Sequence, residues 1–325
     1  MSVLQVVVLA GATATGKTAL GEALADAIGG EIVCADSRQV YAGLDVGTGK
    51  PDAHDREARR HHLFDALPIG GRASAGWYAG ACAAVRAEIH ARGRTPVLVG
   101  GSGLYLRAAR TGLADEPPHD PERRARLRAE LEAHGAAALH ARLAAVDPPT
   151  AARLHPNDAQ RVTRALEVFE TSGHPLSWWH GRGVAGAPGD ERWIVFELVV
   201  EPNVLNRRIR MRTEAMFAGG LVAETRALLD SGSGEALRAL QAIGYDEAIA
   251  VIEDRLSLPR AQKITSLRTR QLAKRQRTWF RHQEDAVRLD ATHSATGELL
   301  DALLGTLSQD EHGRPAAIDS PEGRL

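Results

Sequence analysis

Cysteine is nearly absent from this chain of 325 residues, which has only Cys34 and Cys82. So few exclude a disulfide framework and a four-cysteine zinc site, and a reducing cytoplasm is the expected compartment. Long apolar runs are missing too. The stretch Val6–Ala10 is cut off by Gly11, well short of the roughly 18–20 residues that a membrane helix needs. The first residues carry no basic region followed by an apolar core, so no secretion signal is expected. Charge of one sign is also lacking: 40 Lys+Arg face 41 Asp+Glu, for a net charge of −1. Bulk composition therefore does not announce a nucleic-acid binder, and any such signal has to be local. What is present is ordinary for a globular protein, with 44% hydrophobic and 25% charged residues and a length that suits about two domains.

Val3–Ala10 reads as a buried strand that ends in a glycine-rich turn. Thr18–Ile28 has helical spacing, Glu31–Ala35 is a second β-branched run, and Gly43, Gly47, Gly49 and Pro51 mark a loop. Trp77–Ala91 reads as a helix and Thr95–Val99 as another buried strand. This alternation predicts a parallel sheet covered by helices. After Glu116-Pro117-Pro118 the pattern from Asp120 to Ser172 is purely helical, with Asp120-Pro121-Glu122 as a capped start. Gly181–Gly189 closes that block. Trp193–Glu201 returns to strand character, Asn206–Asp230 and Gln241–Gln283 read as helical, and Ala286–Asp290 as a last strand. The tail 309–325 reads as disordered.

Gly11-Ala12-Thr13-Ala14-Thr15-Gly16-Lys17-Thr18 fits G-x-x-x-x-G-K-[ST], with a strand before it and a helix after it, as a phosphate-binding loop requires. The glycines let successive N–H groups point at phosphate oxygens, aided by the following helix N-terminus. Lys17 adds a charge, and the Thr18 hydroxyl is placed to ligate Mg²⁺. The expected fold is thus α/β: a P-loop NTPase-like parallel sheet with flanking helices and an inserted all-helical domain. The core takes residues 1–116 and 190–292, and the insertion 117–189. An ATPase or GTPase usually adds an acid at the end of a buried strand. Here Val97-Leu98-Val99 runs into Gly100-Gly101-Ser102 instead. The acid follows the second strand, in Ala35-Asp36-Ser37-Arg38-Gln39. Asp36 suits a general base for an acceptor hydroxyl or amine, and equally a cap for the following turn.

Between Arg255 and Arg281 the chain has nine Lys/Arg and no Asp or Glu. Lys263, Arg270, Lys274, Arg277 and Arg281 fall on one helical face, while Leu272 and Trp279 can pack elsewhere. Ordinary solvated helices mix signs, so a purely cationic stripe favours contact with an RNA or DNA backbone.

Taken together, Gly11–Thr18, Ala35–Gln39, Asp45–Pro51, His61-His62-Leu63, Val97–Tyr105, His155–Asp158, Gln160–Leu166, Gly244-Tyr245 and Arg270–Arg281 resemble the tRNA dimethylallyltransferases, bacterial in type. The resemblance covers roughly residues 4–290 and implies the activity. A five-carbon isoprenoid passes from dimethylallyl diphosphate to the exocyclic N6 amine of the adenosine 3′ of the anticodon, in tRNAs reading codons that start with U. It implies that Gly11–Thr18 cradle diphosphate as leaving group, with Lys17 and Mg²⁺ neutralising its charge, and that Asp36 takes the amine proton. Arg212 matches an arginine that reaches the diphosphate, and Arg208, one turn earlier, is placed to support it. Toward tRNA the resemblance points to Asp36, Ser37, Arg38, Gln39, Ser102 and Arg124. It adds Gln160, Arg161, Val162, Thr163 and Arg164, then Gln241, Ala242, Ile243, Gly244, Tyr245 and Asp246. On the basic helix it adds Lys274, Arg275, Gln276, Arg277, Thr278, Trp279, Phe280 and Arg281. The target adenosine is expected to leave its stack.

Ala12 stands where the family usually has proline, and Gln241 where a basic residue often precedes Gly-Tyr. With no cysteine after Cys82, the zinc-binding extension of eukaryotic relatives is excluded. The expected protein is cytoplasmic and monomeric. Three rival readings stand beside this one: a small-molecule P-loop kinase, an RNA-binding ATPase, and a transferase acting on free adenine nucleotides. The cationic helix and the missing second acid count against them. Cys34 and Cys82 read as inert core residues, His61-His62 as hydrogen-bonding groups without metal, and Trp178-Trp179 as packing or a stacking platform.

Overall fold

The computed structural model describes residues 4–182, 191–283 and 286–311. β1 (Gln5–Gly11), β2 (Glu31–Cys34), β3 (His61–His62), β4 (Pro96–Gly100), β5 (Arg192–Val199) and β6 (Val287–Asp290) form one sheet in the order β3-β2-β4-β1-β5-β6. Every pairing is parallel, with Val7 of β1 opposite Val97 on one side and Ile194 on the other. β1 shows why both faces are covered. Val6, Val8 and Ala10 enter one core cluster, and Val7 and Leu9 enter the other, as the two-residue period of a strand dictates. Each valine or leucine among them contributes about 1.5–3 kcal/mol by leaving water.

The helices are α1 (Lys17–Ile28), α2 (Ala53–Ala58), α3 (Ala75–Ala91), α4 (Gly103–Thr111), α5 (Pro121–Val146), α6 (Pro148–Arg153) and α7 (Ala159–Ser172). They continue as α8 (Leu176–Gly181), α9 (Pro202–Ala218), α10 (Leu221–Leu228), α11 (Gly234–Leu240), α12 (Tyr245–Ile252), α13 (Leu258–Gln283) and α14 (Thr296–Glu311). One face of the sheet is covered by α3, α10, α12 and the Phe280 end of α13, through Tyr78, Ile89, Leu221, Tyr245 and Ile249. The other is covered by α1, α9 and α14, through Leu20, Leu24, Leu205, Ile209 and Leu303.

The chain divides into two compact units, residues 1–109 with 189–325, and Arg110–Pro188. The second unit begins before the Pro117 boundary read from the sequence. The lead-in is tied to its helices, since Arg164 donates to the Glu116 carboxylate at 3.0 Å and to the Pro117 carbonyl at 2.8 Å. Its helices α5–α8 share a core of Leu127, Leu139, Leu143, Val162, Leu166 and Val168. Asp120 caps α5 by accepting from the Glu122 and Arg123 N–H groups.

Three stretches differ from the sequence reading. Asn206–Asp230 is two helices, because Gly219 ends α9 and Gly220 takes φ +101°. Gln241–Gln283 contains two turns, one at Gln241–Gly244 and one before α13. The tail is helical through Glu311, and residues 312–325 lie outside the described ones. So do 1–3, 284–285 and 183–190, which hold most of the expected closing loop. No helix among the described residues is long and apolar enough to cross a membrane.

Candidate functional site

The phosphate-binding loop connects β1 to α1. Its N-cap, Gly16, offers no side-chain acceptor to the first turn of α1, so the N–H groups there stay open to an anion. Gly11, Ala14 and Gly16 all have positive φ, which turns the loop back on itself. Lys17 folds into the hollow, donating to the Ala12 carbonyl at 2.6 Å. Burial pulls its ammonium down to about 7, opposed by the Asp36 carboxylate and assisted by nearby Arg212. A bound anion would reverse that cost, because it pairs the charge that burial now penalises. Thr18 is exposed at the loop rim.

Asp36 follows β2, at the carboxyl end of a parallel strand where α/β folds bind ligands. Its Oδ1 accepts from the N–H groups of Arg38 at 2.8 Å and Gln39 at 3.4 Å. One oxygen therefore caps the turn, and no protein donor reaches Oδ2 among the described residues. The Ser37 N–H donates to Ser102 Oγ at 2.9 Å, tying this turn to the one after β4. Arg212 of α9 is half-buried, and burial lowers its pKa against the pull of Asp36. It donates to Thr13 Oγ1 at 3.0 Å and to the Thr48 carbonyl at 2.7 Å. Gly49 is required beside it, since a Cβ there would lie 2.5 Å from Arg212 Nη2 on a backbone with φ +60°. Arg208 does not support it. Its guanidinium donates to the carbonyls of Ala291 and Thr292, which lie just past β6 and capture it first.

The loop that presents Thr48 is itself pinned. Glu224 of α10 accepts from the Val46 N–H at 2.9 Å and from the Tyr245 hydroxyl at 2.5 Å, and that hydroxyl also accepts from the Gly47 N–H at 3.2 Å. Glu224→Ala is expected to cost roughly 1–3 kcal/mol through the donors it orphans. It should also raise the KM for the phosphate-bearing ligand, because Thr48 no longer holds Arg212. Urea denaturation and steady-state kinetics check the two halves.

Gln276 of α13 bolts the basic helix to the phosphate loop. Its Oε1 accepts from the Thr13 N–H at 2.9 Å and its Nε2 donates to the Gly101 carbonyl at 2.9 Å. Gly101 is a close approach: a Cβ there would sit 2.4 Å from Gln276 Nε2. Around it Lys274, Arg275, Thr278 and Arg281 are exposed and Arg277 half-buried, while Phe280 is in the core and Trp279 packs against Gly103. In the segment 241–246, Gln241 is exposed, Ile243 and Asp246 are half-buried, and Ala242, Gly244 and Tyr245 are buried. The buried members of these segments have their surface committed to packing, so the RNA contacts expected from the sequence narrow to the others.

Within the helical unit the same narrowing applies. Val162 and Thr163 are buried, whereas Gln160 and Arg161 are exposed. Arg124 and Arg164 converge with His119 on Glu167, which has no exposed surface; Glu167 Oε1 also accepts from the Asp120 N–H at 2.8 Å. Burial alone would raise the Glu167 pKa, but His119, the Asp120 N–H and Arg124 outweigh it and hold the carboxyl low. Glu167→Ala is therefore expected to destabilise this unit by about 3–5 kcal/mol, the cost of breaking a buried pair. With a lowered carboxylate pKa, the contribution is present at neutral pH and is lost as pH falls through the folded value. Thermal melts from pH 7 down to 3 check it.

Cys34 and Cys82 are buried, and burial raises both thiols. His61 bonds the Arg59 carbonyl and His62 the Glu31 carboxylate. Trp179 packs on its unit's core with Nε1 donating to Ser172, and Trp178 stacks on His174. The sequence reading missed Glu224 altogether, which lies in a helix with no motif. Gln276 was expected among the tRNA contacts; its bond to the phosphate loop was not, although it follows Ala273 by three and precedes Phe280 by four on the inward face of α13.

The IPP transferase family profile matches residues 39–283. The chain is 46% identical to tRNA dimethylallyltransferase 1 of Trichlorobacter lovleyi, over 86% of this chain and 91% of that one. Its structure is similar to the crystal structure of a full-length tRNA isopentenylpyrophosphate transferase from Bacillus halodurans, with a TM-score of 0.68, 32% identity and coverage of 95% and 97%. It is also similar to a eukaryotic dimethylallyltransferase acting on tRNA, with a TM-score of 0.77, 26% identity and coverage of 97% and 81%.

Proposed function

The chain belongs to the IPP transferase family, and from that premise we propose that it is a tRNA dimethylallyltransferase. It moves the dimethylallyl group of dimethylallyl diphosphate to the N6 amine of the adenosine 3′-adjacent to the anticodon in tRNAs reading UNN codons, and releases diphosphate. The observation that carries this reading is the meeting of Lys17 and Arg212 at the phosphate loop, through the Ala12 carbonyl and Thr13 Oγ1, with the Asp36 carboxylate of the neighbouring turn close enough to act on both charges. Two cations there suit a departing diphosphate, and one carboxylate suits a proton acceptor.

In this account the leaving group sits against Gly11–Thr18. The first-turn N–H groups of α1, Lys17 and Arg212 hold its oxygens as charge grows on them. The hydroxyl of exposed Thr18, beside the place of those oxygens, offers the hard donor that Mg²⁺ takes along with phosphate and water. Bound there, Mg²⁺ would supply further neutralisation of the leaving group. An aniline-like amine is a weak nucleophile, so positioning matters as much as basicity. Asp36 serves both ends, because Oδ1 is fixed by the turn and Oδ2 is left for the amine proton. Ser37, Arg38, Gln39 and Ser102 line the same turn pair, and Lys274, Arg277 and Arg281 attract the RNA backbone along α13. Exposed Gln160 and Arg161 serve the same purpose in the helical unit.

The test is transfer of labelled dimethylallyl diphosphate into tRNA with ATP omitted. Transfer without ATP, and lost when the adenosine next to the anticodon is replaced by guanosine, is the expected result. Robust ATP turnover stimulated by RNA, without prenylation, would favour the ATPase reading instead.

A further inference from the structure

We propose that the groove between α9 and α13 is a second RNA site, which takes the phosphodiester backbone of the stem rather than the reacting base. This rests on the reading of tRNA as substrate. The groove encloses about 610 Å³ and is lined by Arg207 and Arg210 from α9 and by Lys263 and Arg270 from α13. Arg207 and Arg210 are one turn apart on their helix, and Lys263 and Arg270 two turns apart on theirs, so each pair points along one face. Glu214 is the lone acid in the lining; Asn206 and Gln262 add neutral hydrogen-bonding groups.

Several arginines of this protein are matched, among them Arg59 with Asp26 at 2.7 Å, Arg92 with Glu31 at 2.7 Å, and Arg268 of the same α13 with Asp246 at 2.9 Å. The four in the groove are exposed and have no ion pair or hydrogen bond among the described residues. Four like charges crowded along two packed helices repel one another, and a polyanion with regularly spaced charges relieves that repulsion at all four points. A single small anion would satisfy only one end.

Position on α13 says which part of the RNA is involved. Gln276, tied to Thr13, marks the part of the helix beside the phosphate loop. From Gln276 the cations of α13 in the groove begin about 9 Å away at Arg270 and end about 20 Å away at Lys263, at 1.5 Å per residue. That is about three to six stacked nucleotides at 3.4 Å each. RNA that places its target base at the loop spans the whole groove only if it continues beyond the anticodon loop.

The test compares the wild-type protein with a variant carrying Arg207→Gln, Arg210→Gln, Lys263→Gln and Arg270→Gln. Binding of full-length tRNA and of a loop fragment of about five nucleotides is titrated against salt. All four positions are exposed, so a thermal melt should show the fold intact. If each cation meets a phosphate, the log–log salt slope for full-length tRNA falls by about 3, at 0.7–0.9 per contact, while the fragment, which reaches no farther than Arg270, loses at most about one contact. An unchanged slope with full-length tRNA overturns the groove assignment. An equal loss on both RNAs also overturns it, because a general field rather than a contact would then be at work. Failure of the wild-type protein to bind tRNA at all contradicts the proposed function itself and takes the groove assignment with it.

Discussion

Asp36→Asn is expected to lower the single-turnover rate of prenyl transfer by roughly 10²–10⁴-fold, the usual contribution of a positioned general base. The substitution separates chemistry from architecture because the two oxygens of Asp36 have different duties. Oδ1 accepts from the Arg38 and Gln39 N–H groups, and asparagine keeps an oxygen for that role and caps about as well. What it loses is the proton acceptor at the Oδ2 position. Fold and donor binding should therefore remain near normal, as a thermal melt and a donor titration would show. A single-turnover rate close to wild type, with saturating tRNA and donor, would reduce Asp36 to a turn cap.

Arg212→Gln is expected to lower kcat by roughly 10²–10³-fold, comparable with removing one preorganised donor from an oxyanion site. The guanidinium is held by Thr13 Oγ1 on one side and the Thr48 carbonyl on the other, so it enters the reaction already aimed and in part withdrawn from water. Charge that develops on the leaving diphosphate then meets a cation that needs no rearrangement. Arg212→Lys should not restore the rate, since a single ammonium cannot bridge both acceptors and still face the phosphate. Arg208→Gln separates this account from a general charge effect. Because Arg208 is engaged with the Ala291 and Thr292 carbonyls, its loss should act on stability rather than on kcat.

The parts of this protein legible in its sequence are those encoded locally. The strand Gln5–Gly11, the glycines that turn it into α1 and the capping residues at Asp120 each announce themselves within a few residues. Asp36 stood out because a carboxylate follows a buried strand beside a phosphate loop. The illegible parts are held by contacts across long stretches of chain. Arg208 and Arg212 are one turn apart and look equivalent, but the carbonyls that take Arg208 lie more than eighty residues away. Arg124 and Arg164 read as candidates for RNA, and nothing nearby revealed that both answer to the buried charge of Glu167. Glu224 pins a loop far from it in sequence, and a glutamate in a mixed-charge helix carries no sign of that. The break at Gly219-Gly220 was hidden for another reason: the apolar spacing on either side continues almost in phase.

The central claim is that this chain attaches an isoprenoid to an adenosine of tRNA, using diphosphate as leaving group. Nucleoside analysis of tRNA by mass spectrometry, after incubation with the protein, Mg²⁺ and dimethylallyl diphosphate, tests it most directly. The account predicts one five-carbon addition at the N6 amine of the adenosine 3′ of the anticodon, matched by an equal amount of released diphosphate. Unmodified tRNA alongside prenylation of free adenine nucleotides would contradict it.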